Sequence, residues 1–147
     1  CVLWLPLEAA NSNETIEFVR GSHLWDRLFM RVWFKNHQSE EEPQWVNGHF
    51  YEPPPDINAD RERYDIISFD VDEGDCLVFD IRTLHGSPPG PAPEKSLSRY
   101  TLRMASEDAR IRYRGNWAIA ERCVFEQFGH GDGDEINSEF FPMLYCI

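Results

Sequence analysis

The stretch best suited to chemistry is a strand-like run that ends in a single histidine. Residues 73–87 open with Glu-Gly-Asp, where glycine can take the positive φ of a turn, and continue as an apolar run to His85. Read with the two-residue period of a strand, one face carries Leu77, Phe79, Ile81, Thr83 and His85. A strand that lines its inner face with bulky side chains and ends in an imidazole can present a metal ligand at a barrel mouth. The pattern therefore makes His85 a candidate metal ligand.

A second strand-like run, residues 99–104, carries fixed positive charge. Arg99, Thr101 and Arg103 fall on one face of this run, and aromatic or apolar residues fall on the other. If the arginine face looks into the same cavity as His85, each buried guanidinium group needs an anionic partner or other hydrogen-bond acceptors. A dicarboxylate co-substrate would supply one in bidentate geometry. Because Arg99 and Arg103 lie on the same face of the run, the spacing leaves open which of them binds the dicarboxylate.

Short strands must position these two runs. The apolar run Cys1–Leu7 has the composition of a strand buried on both faces, and residues 15–19 and 64–71 also have strand character. Ser22 follows a glycine and could cap a short helical segment, and residues 116–127 mix apolar and charged side chains at helical spacing. Short strands separated by proline and glycine turns indicate a mainly β fold, either a sandwich or a jelly roll.

Residues 36–60 form the least regular part of the chain. The segment carries an acidic run and three consecutive prolines, and proline disrupts the hydrogen bonding of both helices and sheets. We expect a long loop here, either a lid over a site or a surface insertion. The residues that such a lid would offer are Trp45, His49, Phe50 and Tyr51.

Length and composition predict one acidic domain of 147 residues with a hydrophobic core. The formal net charge of -12 argues against nucleic acid and against an anionic membrane surface as partners. No apolar run approaches the roughly 20 residues that span a bilayer. The four cysteines form no Cys-x-x-Cys pair, so we expect reduced thiols in a cytoplasmic setting. His37 and His130 lie in polar stretches and are predicted to be solvated.

Three blocks of the sequence, in this order and spacing, resemble the phytanoyl-CoA dioxygenase family of non-haem Fe(II), 2-oxoglutarate-dependent oxygenases. The central block runs from Gly74-Asp75 through Phe79 to His85-Gly86-Ser87 and on to Arg99. The other two blocks are residues 2–10 with residues 17–23, and the Phe-Pro sequence within residues 141–145. The resemblance implies a double-stranded β-helix, a jelly roll of the cupin type, that acts on a small-molecule substrate with Fe(II) and 2-oxoglutarate.

The resemblance also implies roles for individual residues. His85 corresponds to the second histidine of a facial triad of two histidines and one carboxylate, which leaves three positions open on iron. The family order favours Arg99 over Arg103 for the distal carboxylate of 2-oxoglutarate, and Ser87 could hydrogen-bond the same co-substrate. A proline-rich stretch, residues 88–93, replaces the Asn and Ser that the family often has here. His49 and Glu52 are the weaker alternative ligands.

The first metal motif of the resembled family, His-x-Asp, lies a short way upstream of the first strand. This sequence has no such motif at that position, so we expect that residues before Cys1 are missing and that the fold is incomplete at its N-terminus. We further expect that this chain alone is inactive and that it self-associates through unpaired strand edges. The alternative is a metal-free, non-catalytic binding module of β-helix or jelly-roll type. A His-x-Gly or His-x-Ala upstream would indicate halogenation instead of hydroxylation.

Overall fold

Short β-strands supply most of the regular structure in the protein. The computed structural model describes residues 1–30, 43–91, 96–115 and 119–144. The strands are β1 (Val2–Pro6), β2 (Glu17–Val19), β3 (Leu28–Phe29), β4 (Gln44–Val46), β5 (His49–Glu52), β6 (Ile66–Ile67), β7 (Leu77–Phe79), β8 (His85–Gly86) and β9 (Arg99–Arg103). One α-helix, α1 (Ile119–Gln127), and two short 3-10 helices, Ser22–Leu24 and Asn58–Arg63, complete the described elements.

The chain divides into two compact units. The first unit comprises Cys1–Asp26 and Pro55–Met104, and it holds two three-stranded antiparallel sheets, ordered β7-β1-β9 and β6-β2-β8. β1 takes the centre of its sheet because its side chains are apolar on both faces, with Val2, Trp4 and Pro6 buried and Leu3 and Leu5 half-buried.

The core of the first unit lies beneath β1 and β7. Trp4, Ala10 and Val71 form a buried cluster, and Leu77 and Phe79 pack against it. The Phe79 ring also meets the Phe18 ring of β2 edge-on, with centroids 4.8 Å apart, so side chains of the two sheets are in contact. These small antiparallel sheets confirm the mainly β prediction and are consistent with a β-sandwich. The described residues form no closed barrel.

The run that was predicted to be a single strand ending at His85 is in fact two strands joined by a turn. Asp80 accepts hydrogen bonds at its side chain from Arg82 N, at 2.8 Å, and at its carbonyl from Thr83 N, at 2.9 Å. These local bonds compete with a strand ladder, because aspartate readily bonds the backbone two residues on. The predicted alternation is therefore interrupted after Phe79, and Ile81 is 56% exposed.

The second unit comprises Arg27–Pro54 and Ala105–Ile147 and contains the sheet β3-β5-β4. Part of the predicted loop over residues 36–60 is a β4–β5 hairpin, so that prediction is wrong for residues 44–52; residues 31–42 lie outside the described residues. Asn47 and Gly48 turn the hairpin with φ of 50° and 78°. Positive φ at both positions is the signature of a type I′ turn, for which Asn-Gly is a preferred pair. A lid role for this hairpin stays a prediction.

The C-terminal part of the second unit contains the helix that the spacing predicted. α1 spans Ile119–Gln127, within the predicted residues 116–127. Phe125 of this helix packs edge-on against Phe140 and Phe141, with centroids 5.9 and 5.0 Å away. No helix among the described residues has the length and apolar character needed to cross a bilayer.

Candidate functional site

His85 opens β8, where it pairs with Phe18 of β2. Its ring lies edge-on to the Phe79 ring, with centroids 4.9 Å apart, whereas Val78 points the other way and is 63% exposed. The imidazole therefore lies on the Phe79 side, as the two-residue period predicted, although the chain reaches it through a turn. His85 itself is exposed, so its ring is accessible to a ligand.

A hydrogen bond to the backbone sets the tautomer of His85. Nδ1 of the ring lies 2.6 Å from the carbonyl oxygen of Thr83, and Thr83 is buried. A carbonyl oxygen only accepts, so Nδ1 carries the hydrogen, and Nε2 of the neutral ring keeps its lone pair. Metal-binding histidines commonly donate their second nitrogen to a carbonyl in this way. In the neutral ring, Nε2 is thus the nitrogen that remains available to a ligand.

The residue before His85 is held by a turn far away in the sequence. The buried hydroxyl of Ser22 accepts a hydrogen bond from Leu84 N at 2.8 Å, and Val19 N donates to Leu84 O at 2.9 Å. The prediction that Ser22 caps a helical segment is wrong. Gly21, with φ of 74°, occupies the cap position, and no side chain caps this short helix. The Ser22 hydroxyl instead fixes the strand that presents His85.

An ion pair stabilises the turn between β7 and β8. Arg82 Nε and Nη2 donate to the two carboxylate oxygens of Asp80, each at 3.1 Å. These side-chain hydrogen bonds, together with the bond from Arg82 N, lower the pKa of Asp80 to about 2. Asp80 is therefore charged at neutral pH and holds the turn that leads to His85.

The pairing of β9 with β1 places the two candidate arginines on the buried side of the sheet. Arg99 lies opposite Pro6 and Arg103 lies opposite Val2, and residues directly opposite each other in an antiparallel pair share a face. Pro6 and Val2 are both buried. The structure thus gives Arg99 and Arg103 the common face that the sequence predicted, while all five residues of β9 remain exposed to solvent.

The two arginines differ in their position along the sheet. Val2 of the central strand also lies opposite Phe79 of β7, so Phe79, Val2 and Arg103 form one row across the three strands. Phe79 is the residue whose ring contacts His85. Arg99 lies at the other end of β9, and its guanidinium group stands over the Trp4 ring at 6.0 Å from the centroid. Of the two, Arg103 lies in the row nearer to His85.

Ser87 follows β8 directly and is exposed. It lies two residues beyond His85 and has no hydrogen bond to any residue that the structure describes. Its hydroxyl is therefore open to a ligand.

The described residues supply only part of a metal site. Within residues 1–30, 43–91, 96–115 and 119–144, no three side chains of His, Cys, Asp or Glu lie close enough together to hold a metal ion. His85 is thus a single candidate ligand. The alternative ligands His49 and Glu52 belong to the second unit, where Arg27 donates to both carboxylate oxygens of Glu52 at 2.7 and 3.0 Å. A complete facial triad does not fit the described residues alone.

The one His-x-Asp of this sequence, His130-Gly131-Asp132, lies downstream of His85 in the second unit. The prediction that His130 is solvated is wrong: it is buried, with Nε2 2.8 Å from the Ser138 hydroxyl. Asp132 accepts from Tyr113 N at 2.7 Å and from an arginine. Both side chains thus have protein partners, and packing against Phe141 explains the burial of the histidine. His37 lies outside the described residues.

The fold and the site together define a mainly β protein with one candidate metal ligand and two arginines that can hold an anion. The family model for phytanoyl-CoA dioxygenase (PhyH) matches residues 1–92, more than half of the chain, and the chain belongs to this family. The resemblance seen in the sequence is thereby confirmed. The matched range includes His85 and Ser87 and ends before Arg99 and Arg103. No match was found among curated proteins or among solved structures.

Proposed function

We propose that this protein is an Fe(II)- and 2-oxoglutarate-dependent dioxygenase that hydroxylates a small-molecule substrate. Membership of the family supports an oxygenase-type reaction. The observation that carries the proposal is the geometry of His85, whose Nδ1 donates to Thr83 O at 2.6 Å and so leaves Nε2 for a metal ion. Bound iron would supply the activation of O₂, and the two sheets of the first unit would be parts of a double-stranded β-helix.

Each site residue has a stated role in this proposal. His85 supplies one ligand to iron, and the other ligands come from outside the described residues. Arg99 binds the distal carboxylate of 2-oxoglutarate, which its family position and its lack of a carboxylate partner among the described residues support. Ser87, two residues after the metal ligand, donates a hydrogen bond to the same co-substrate. Arg103 is the second arginine in reach of an anion on this face.

We also propose a class of substrate and a cellular compartment for the reaction. A net charge of -12 disfavours nucleic acid and anionic membranes as partners, and we propose a small molecule as the substrate. Cys1, Cys76 and Cys123 are exposed free thiols, a state that suits a reducing compartment, and we propose the cytoplasm. Cys146 lies outside the described residues.

The test is succinate release by the full-length protein with Fe(II), ascorbate and 2-oxoglutarate, together with metal analysis. His85→Ala is expected to lose both bound iron and succinate release, because it removes a ligand. Arg99→Ala is expected to keep iron but to need more 2-oxoglutarate, because it removes a binding contact. His49→Ala changes an exposed histidine of the second unit, the weaker alternative ligand, and on this proposal it should behave as wild type. An unaffected His85→Ala protein would overturn the proposal.

The same measurements test the alternative, in which the protein is a metal-free binding module. The described residues supply one candidate ligand, and we propose that the 147-residue chain by itself binds no iron and releases no succinate. Failure of the full-length protein to bind iron would support the binding module. Turnover by the 147-residue chain would instead support His49 and Glu52 as metal ligands.

A further inference from the structure

The two arginines of β9, Arg99 and Arg103, form no ion pair with an Asp or Glu that the structure describes. The chain has 26 acidic residues against 14 basic ones, so most cations have a carboxylate nearby. Among the described residues, every arginine except Arg99, Arg103 and Arg114 forms an ion pair with an Asp or Glu. Arg114 stands over the Tyr51 ring in the second unit. Among the described residues of the first unit, the arginines without a carboxylate partner thus lie on a single strand face, which suits the binding of an external anion.

The spacing of the two arginines suits two anionic groups. Arg99 and Arg103 are four residues apart on one strand, which places their Cα atoms roughly 13 Å apart at about 3.3 Å per residue. Side chains on a strand stand approximately perpendicular to the sheet. The Arg99 guanidinium group accordingly lies over Trp4, whereas Arg103 shares its row with Val2 and Phe79. The two guanidinium groups therefore serve different parts of the site.

We propose that Arg103 binds an anionic group of the substrate, a carboxylate or a phosphate, and that Arg99 alone binds the co-substrate. This inference rests on the proposed function. If the keto-acid end of 2-oxoglutarate lay beside His85, its distal carboxylate would reach away from the Phe79 row, toward Arg99 at the other end of β9. A substrate would have to place its reacting carbon near His85, so an anchor in the Phe79 row would suit it. Arg103 is thereby a specificity-determining residue.

The test follows the arginine Nε–Hε signals of the full-length protein by NMR, with Zn(II) as a diamagnetic substitute for iron. Saturating 2-oxoglutarate is expected to shift the Arg99 signal. Isobutyrate added afterwards is expected to shift the Arg103 signal, whereas isobutyramide, its neutral counterpart, is not. Arg103→Gln is expected to lose about tenfold in isobutyrate affinity, the equivalent of one charge-assisted hydrogen bond, with 2-oxoglutarate affinity unchanged within about twofold.

Two variants control for charge and for folding. Arg63→Gln removes one exposed arginine from the same unit, where it pairs with Asp60, and is expected to bind isobutyrate as wild type does. Arg103→Lys keeps the charge but loses the planar fork, so its isobutyrate affinity should fall between those of wild type and Arg103→Gln.

The outcomes separate this inference from the proposed function. If 2-oxoglutarate shifts the Arg103 signal and Arg103→Gln weakens its binding, the assignment is overturned. Equal responses to isobutyrate and isobutyramide would also overturn it, while the dioxygenase proposal would stand. If 2-oxoglutarate fails to bind at all, the dioxygenase proposal fails, and a shift of Arg103 by isobutyrate alone would still support an anion site at this residue.

Discussion

At the scale of single residues, the position of His85 depends on two hydrogen bonds, one to its ring and one to the residue before it. The Thr83 carbonyl orients the ring from two residues before it, and the Ser22 hydroxyl holds the adjacent Leu84 amide from a separate turn. Ser22 is buried, so water cannot easily replace its hydroxyl. Ser22 therefore acts as a positioning residue for the candidate metal ligand.

We predict that Ser22→Ala destabilises the protein and weakens its hold on metal. The change leaves the Leu84 amide without its acceptor, and a part-buried unsatisfied donor costs about 1–3 kcal/mol of unfolding free energy. Urea unfolding measures this loss, and Fe(II) affinity of the full-length protein should fall by about tenfold or more, as for other supporting groups of metal sites. Ser96→Ala, at an exposed serine, is the control. Wild-type iron affinity in Ser22→Ala would contradict the positioning role.

At the scale of elements, the β4–β5 hairpin has two faces of opposite character. Tyr51 and Val46 pack on buried Met30, whereas Trp45 and Phe50 lie opposite each other on the exposed face, with ring centroids 5.6 Å apart. A one-residue slip in register would exchange the two faces, so the turn that sets the register matters.

We predict that Gly48→Ala loosens the hairpin and that Asn47→Gly does not. Gly48 has a φ of 78°, and a side chain in the left-handed region costs roughly 1–2 kcal/mol. Glycine at position 47 tolerates the observed φ of 50°. Amide hydrogen exchange across β4 and β5 is the measurement, and it should accelerate in Gly48→Ala only. Equal exchange rates in the two variants would show that the turn does not set the stability of the hairpin.

At the scale of the whole molecule, β9 offers a sheet edge. Cys1 and Met104 exchange two backbone hydrogen bonds, at 2.7 and 2.8 Å, which makes them a hydrogen-bonded pair. Since such pairs alternate along an antiparallel ladder, the amides of Arg99, Thr101 and Arg103 point away from β1. Within the described part of the chain, β1 is the one strand paired with β9.

We predict that the 147-residue chain self-associates through β9 and that Thr101→Pro reduces the association. Proline at this position removes an amide that points outward, so it should block edge pairing without breaking the bonds to β1. Light scattering after size-exclusion chromatography, over a range of protein concentrations, measures the mass. Thr101→Val keeps the amide and is expected to associate as wild type does. A wild-type chain that stays monomeric at every concentration would refute the prediction.

The sequence by itself determined features that depend on neighbours along the chain. The common face of Arg99, Thr101 and Arg103 and the inward placement of Leu77 and Phe79 follow from strand alternation, which is a local property. The family and the candidate ligand His85 could also be identified from the sequence, because their motifs are contiguous or closely spaced. The Asn47-Gly48 hairpin had a local signal too, and the neighbouring prolines obscured it.

Only the tertiary structure decided how distant segments meet. The bond between Ser22 and Leu84 joins residues that are 62 positions apart, and no spacing rule predicts such a pair. The burial of His130 depends on Phe141 and Ser138, which the chain brings back after a turn. The row that joins Phe79 to Arg103 depends on the register of three strands at once. Alternation gives both arginines the same parity, so only the strand register distinguishes Arg103 from Arg99.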